Sequence, residues 1–135
     1  MRSNNLTLLV ILILLLLLIG TVLKLKAGNF MNGTNYTAAD FGLKLNVSNS
    51  ATVLLFTSTF CSECRTAKAI VKDVLKDYKD ISYIEVDAES NLDLVRRVDI
   101  RSTPTTIFLD SRGFEIARAK GAPKRDQLIK AIKAI

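Results

Sequence analysis

The only two cysteines of this 135-residue chain, Cys61 and Cys64, lie two residues apart at a point where a strand hands over to a helix. Ahead of them runs Ala51-Thr-Val-Leu-Leu-Phe56, a short apolar and β-branched stretch that reads as a buried strand. Behind them, between Arg65 and Tyr78, the residues Ala67, Ile70, Val71, Val74, Leu75 and Tyr78 recur at helical spacing with charges between them. A buried strand feeding straight into an amphipathic helix predicts a layered α/β arrangement, with Cys61 near the helix N-terminus.

That position has a chemical consequence. The first helical turn leaves backbone N–H groups unpaired and carries partial positive charge. A thiolate there is stabilised, and its pKa falls below the free value of about 8.5. The thiolate is the species that attacks disulfides, and a second cysteine one turn on can displace the resulting mixed disulfide. Two other readings are a pair of inert buried thiols and half of a zinc site. Structural zinc takes about four ligands, and the chain has no third cysteine and no histidine. The reading favoured is a redox-active dithiol with no metal.

The other elements follow in order. Thr37 to Phe41 reads as a short helical turn, and Gly42-Leu-Lys-Leu-Asn-Val47 alternates as a half-buried strand. Ser48-Asn-Ser50 is a turn. Ile81 to Val86 alternates as a further strand, and Asn91 to Val98 forms a helix with Leu92, Val95 and Val98 on one face. Pro104 opens the apolar strand that runs to Asp110, a place where proline is tolerated. Asp110-Ser-Arg-Gly113 is a hairpin turn, and Phe114 to Lys120 pairs back antiparallel. Lys124 to Ile135 closes the chain as an amphipathic helix. Ala51 to Val86 is a strand–helix–strand unit, expected as a right-handed parallel crossover. The fold class is α/β, a mixed central sheet flanked by helices.

Hydrophobic residues make up 49% of the chain, and many are concentrated at one end. Leu6 to Leu23 carries no charge, and about 18 residues of helix span roughly 27 Å, close to a bilayer's hydrocarbon core. A signal peptide has a shorter apolar region and a small-residue cleavage site; here Lys24-Leu-Lys26 closes the run with charge. The expectation is an uncleaved N-terminal anchor over residues 1–26 with a transmembrane helix at about 6–23. A flexible Asn/Gly/Thr-rich linker over 27–36 and a domain over 37–135 follow. Charge on the two flanks, Arg2 against Lys24 and Lys26, gives no clear orientation. The dithiol favours an extracytoplasmic domain on a single-pass cell-membrane protein, because disulfides persist there. The net charge is +6, but three cations flank the anchor, and elsewhere Lys alternates with Asp, as in Lys72-Asp73 and Lys76-Asp77. That is a solvated helix face and excludes a nucleic-acid stripe. Asn32, Asn35 and Asn46 head glycosylation-type triplets, which arise often in Asn-rich stretches.

Phe60-Cys61-Ser62-Glu63-Cys64, the strand ending in Phe56, Ser102-Thr103-Pro104-Thr105 and the later Gly121 before a final helix together resemble the thioredoxin family over roughly Gly42 to Ile135. The resemblance implies that the Thr103–Pro104 bond is cis and lies beside the dithiol. It also implies that Phe60, Thr103 and Pro104 contact an extended substrate segment, largely through main-chain groups. Cys61 would be the attacking residue and Cys64 the resolving one. Three positions depart from the family pattern. Phe60 stands where Trp is usual, Ser62-Glu63 replace Gly-Pro, and Leu55 occupies the place of a buried Asp. Glu63 opposes a thiolate on Cys61, whereas Arg65 and Lys68 favour it; the balance hints at a reductant. Glu85 is a candidate substitute proton acceptor for Cys64. The function expected is a membrane-anchored thiol-disulfide oxidoreductase. Its partners would be disulfide-containing or dithiol proteins, an upstream electron-donor protein and, through the N-terminal helix, the lipid bilayer. It would need no organic cofactor. The competing reading is a non-enzymatic redox sensor or protein-binding module of the same fold.

Overall fold

A computed structural model describes residues 2–25, 29–43 and 50–135. In chain order the elements are α1 (Arg2–Leu25), β1 (Asn29–Asn32), β2 (Ala51–Thr57), α2 (Ser62–Leu75), β3 (Ile81–Asp87), α3 (Leu92–Arg97), β4 (Thr105–Asp110), β5 (Glu115–Lys120) and α4 (Arg125–Lys133). The strands form one sheet in the order β1-β5-β4-β2-β3. β2 and β3 are parallel, joined through α2, and the remaining pairs are antiparallel. This is the mixed sheet expected from the alternation of elements. The strand expected over Gly42–Val47 falls mostly on residues 44–49, outside the described residues.

Alternation along the two central strands divides the core into two layers. Leu54 and Phe56 of β2 and Ile107 and Leu109 of β4 face one way, where Phe41, Val98 and Ile100 cover them. Val53 and Phe108 face the other way, against Val71 and Val74 of α2 and Leu128 and Ile132 of α4. Period-two strands meeting period-3.6 helices on both faces are what the hydrophobic pattern specifies. The β4–β5 turn closes as expected: Gly113 takes φ +86°, and Asp110 Oδ1 accepts the Arg112 and Phe114 N–H groups, each at 2.9 Å.

Two expectations for the N-terminal region are corrected. First, Asn29 to Asn32, read as part of a flexible linker, is a strand paired antiparallel with β5. Phe30 explains why: its ring lies 5.6 Å from that of Phe108, so the segment buries an aromatic on the α4 side of the sheet. Gly33 then donates its N–H to Ile116 O at 2.9 Å. A Cβ there would sit 2.0 Å from Glu115 O, so only glycine allows this approach. Second, α1 is helical as expected, but among the described residues no helix is long and apolar enough to cross a membrane.

The segment after β1 is locked by a buried ion pair. Arg118 Nε and Nη2 donate to Glu115 Oε1 and Oε2 at 2.7 and 2.8 Å, and both side chains are almost fully enclosed. Thr34 Oγ1 donates to the same carboxylate at 2.8 Å, Arg118 Nη1 reaches the Val98 and Asp99 carbonyls at 3.3 Å, and the Tyr36 ring stacks 5.6 Å from the guanidinium. Each carboxylate oxygen and each end of the guanidinium therefore has a partner, which is the condition for burying such charges.

Candidate active site

β2 ends at Thr57 and α2 begins at Ser62, so the loop between them projects from one end of the sheet. Cys61 is the N-cap of α2. Its backbone is extended (φ −95°, ψ 104°), and its Sγ accepts the Cys64 N–H at 3.1 Å. A sulfur takes the place that a Ser or Asp oxygen usually holds, accepting one of the orphan N–H groups of the first turn. The same bond stabilises negative charge on that sulfur once the pair is reduced. Cys61 and Cys64 are disulfide-bonded. They differ in access: Cys61 is half-buried, whereas Cys64 turns inward with Ala67, Val71 and Val74 and is only 4% exposed.

The loop before β4 closes over the pair. The Thr103–Pro104 bond is cis, as the resemblance implied, and Thr103 O lies 3.6 Å from Cys61 Sγ. The Thr103 and Ser58 hydroxyls share a hydrogen bond of 2.8 Å, tying this loop to the one that carries the cysteines. Pro104 O accepts the Gly121 N–H at 2.8 Å. Phe60 is 95% exposed; its ring stands free at the rim next to Cys61. From Thr103 a shallow groove of about 240 Å³ runs between the start of α3 and the β4 approach, floored by Ala88, Leu92, Val95 and Ile100. The structure thus brings Cys61, Cys64, Thr103 and Pro104 together, with Phe60 at the edge.

Glu85, the candidate proton acceptor, is held in an ion pair. It lies on β3 opposite Leu55 and is claimed by Lys68 of α2, with N–O distances of 2.7 and 2.9 Å. The pair is partly exposed and satisfied within itself. Two residues earlier, the Tyr83 hydroxyl is pushed up to about 12, first by burial and second by Glu85, so it stays neutral across the working range. Leu55 is fully buried, as an apolar residue in that position must be.

Sequence reasoning missed Thr106. It is 0% exposed, and its Oγ1 has no hydrogen-bond partner among the described residues. It pairs with Leu55 across the ladder and, two residues from Phe108, shares the face that α2 covers. Val71 and Val74 pack with Val53 and Phe108 on that face. Strand alternation from Phe108 was the signal that could have found it. An unpartnered buried hydroxyl costs about 1–3 kcal/mol. Thr106→Val is therefore expected to stabilise the oxidised protein by about 1 kcal/mol. Urea unfolding of the oxidised protein checks this; an unchanged or lower stability would show that the hydroxyl has a partner after all.

The thioredoxin family model matches residues 33–134. Among similar proteins, thioredoxin H5 of rice (Oryza sativa subsp. japonica) is 34% identical over 74 residues, 55% of this chain and 54% of its own length. Thioredoxin-1 of Caenorhabditis elegans is 29% identical over 85 residues, 62% of this chain and 74% of its own. The match thus spans about half of the rice protein. Among solved structures, thioredoxin-2, a component of the malaria parasite protein secretion machinery, superposes with a TM-score of 0.60 at 27% identity, covering 69% of this chain and 99% of its own. With a family model over most of the chain and a disulfide-forming pair at the head of α2 beside a cis-proline, the chain belongs to the thioredoxin family.

Proposed function

We propose that this protein is a thiol-disulfide oxidoreductase that reduces disulfides in partner proteins and is held at a lipid bilayer by α1. The observation that carries the catalytic part is the asymmetry of the pair: an accessible Cys61 whose sulfur receives the Cys64 N–H, over a buried Cys64. In the reduced state the Cys61 thiolate attacks one sulfur of a partner disulfide and releases the other as a thiolate, which takes up a proton. Cys64, losing its proton, then attacks Cys61 Sγ and frees the second partner thiol. The partner gains two electrons and two protons, and the Cys61–Cys64 disulfide forms. A dithiol protein upstream must return them. The groove beside Thr103 and the free ring of Phe60 suit an extended polypeptide, with Thr103 as its backbone contact and the Pro104 ring packing beside it.

The reductant direction is supported by the charges. Lys68, which would favour the thiolate, is neutralised by Glu85, while Glu63 lies exposed in the first turn of α2. A less stabilised thiolate makes the disulfide harder to reduce. The membrane part is supported by α1. From Leu6 to Ile19 its large apolar side chains are all exposed, and a helix that is apolar all round belongs in a core or a bilayer. An extracytoplasmic side for the domain is favoured by the chemistry of the pair.

The test is the reduction potential of the pair, together with insulin disulfide reduction by the full chain. A potential near about −270 mV is expected and one near about −120 mV would make the protein an oxidant. A pair that neither opens nor closes in mild thiol buffers would remove the enzyme reading and leave the fold.

A further inference from the structure

The sheet register fixes where the chain enters the domain. Asn29 pairs with Lys120, Lys120 with Thr105, and Thr105 with Phe56. These residues form one row across the sheet, at the end that carries Pro104 and the cysteine loop. β1 then runs away from that end, reaching Ala117 at Asn32. Three strand spacings, about 14 Å, separate Asn29 from Phe56. Four Cα steps link Leu25 of α1 to Asn29, at most about 14 Å. The end of α1 therefore lies within roughly 30 Å of the dithiol rim. The opposite end of the sheet, marked by Ala51, Asp110 and Ser111, lies about 17 Å from that row along the strands.

Resting on the membrane reading above, we infer that the dithiol end of the domain faces the bilayer, and that the substrate disulfides lie in the juxtamembrane segments of membrane proteins. A strand hydrogen-bonded into the sheet, locked behind by Gly33 and the Glu115–Arg118 pair, holds the chain's point of entry at this end of the domain. Confinement near the surface raises the effective concentration towards a partner disulfide at the same height. Phe60 stands at this end, an exposed ring suited to the apolar and aromatic segments that flank membrane spans. The exchange is the two-electron transfer already written, from the reduced pair to the partner disulfide.

The test places a fluorophore through Ser62→Cys or Ser111→Cys in the full chain, with Cys61→Ser and Cys64→Ser in the background. Vesicles of phosphatidylcholine and phosphatidylglycerol carry nitroxide headgroups. Several-fold stronger quenching is expected at position 62. Equal quenching, or stronger quenching at 111, overturns the orientation while leaving the anchor intact. Failure to float with vesicles removes the membrane reading itself, and this inference with it. A second measurement uses the unmodified cysteines. A disulfide peptide on a lipid anchor with a short spacer is expected to react about tenfold or more faster than the same peptide free in solution. Equal rates for membrane-bound enzyme overturn the substrate assignment.

Discussion

Replacing Cys61 by Ser is expected to lower disulfide exchange by about a thousandfold or more, because it removes the accessible thiol of the pair. Cys64→Ser is expected to behave differently. The first attack still proceeds, but nothing resolves the product, and a mixed disulfide with the partner accumulates. The basis is burial: Cys61 is open to solvent at the helix start, whereas Cys64 is 4% exposed beneath it. A partner sulfur can reach one and not the other. Non-reducing electrophoresis of extracts from cells carrying Cys64→Ser, followed by identification of the trapped chains, makes the measurement. Adducts on Cys64 in a Cys61→Ser background, at comparable yield, would reverse the assignment. Limited alkylation of the reduced wild type gives an independent reading, with Cys61 expected to react first.

The second large effect is on stability. Glu115→Leu leaves Arg118 buried without its counter-ion, and removing one member of a buried pair costs about 3–5 kcal/mol. Thr34 also loses its acceptor, and the guanidinium stacked on Tyr36 loses the carboxylate that orients it. A drop of that size in urea unfolding, with no change in the chemistry at Cys61, is the expected result. The double replacement Glu115→Leu, Arg118→Met is expected to recover much of the loss, since apolar residues of similar volume tolerate such sites. A double variant no better than the single one would show that packing around Tyr36, and not charge, holds this segment.

Much of the fold was legible because its signals are local. Ala67, Val71 and Val74 announce α2 by their spacing, and Asp110 with Gly113 announces the hairpin. The dithiol and the Thr103–Pro104 loop were legible as a resemblance, and the geometry joins them at Cys61 Sγ. What stayed hidden depends on distant partners. Asn29-Phe-Met-Asn32 has no alternation worth reading; it is a strand because Phe30 meets Phe108 and because β5 offers an open edge. Glu115 and Arg118 are three residues apart, an offset that period-two alternation places on opposite faces, yet they are enclosed together because each satisfies the other. Glu85 was readable as polar, but not as already taken by Lys68. Thr106 was hidden in a run of apolar residues where a hydroxyl passes for a small side chain.

The pairing of β1 with β5 has a consequence for the order of assembly. Its first residue meets one near the end of the chain, Asn29 with Lys120, and contacts this far apart in sequence form late. During synthesis the edge cannot be filled until the hairpin that completes it has left the ribosome. Until then the outer edge of β5 stays open, and the place where the chain enters the domain is among the last features to be fixed.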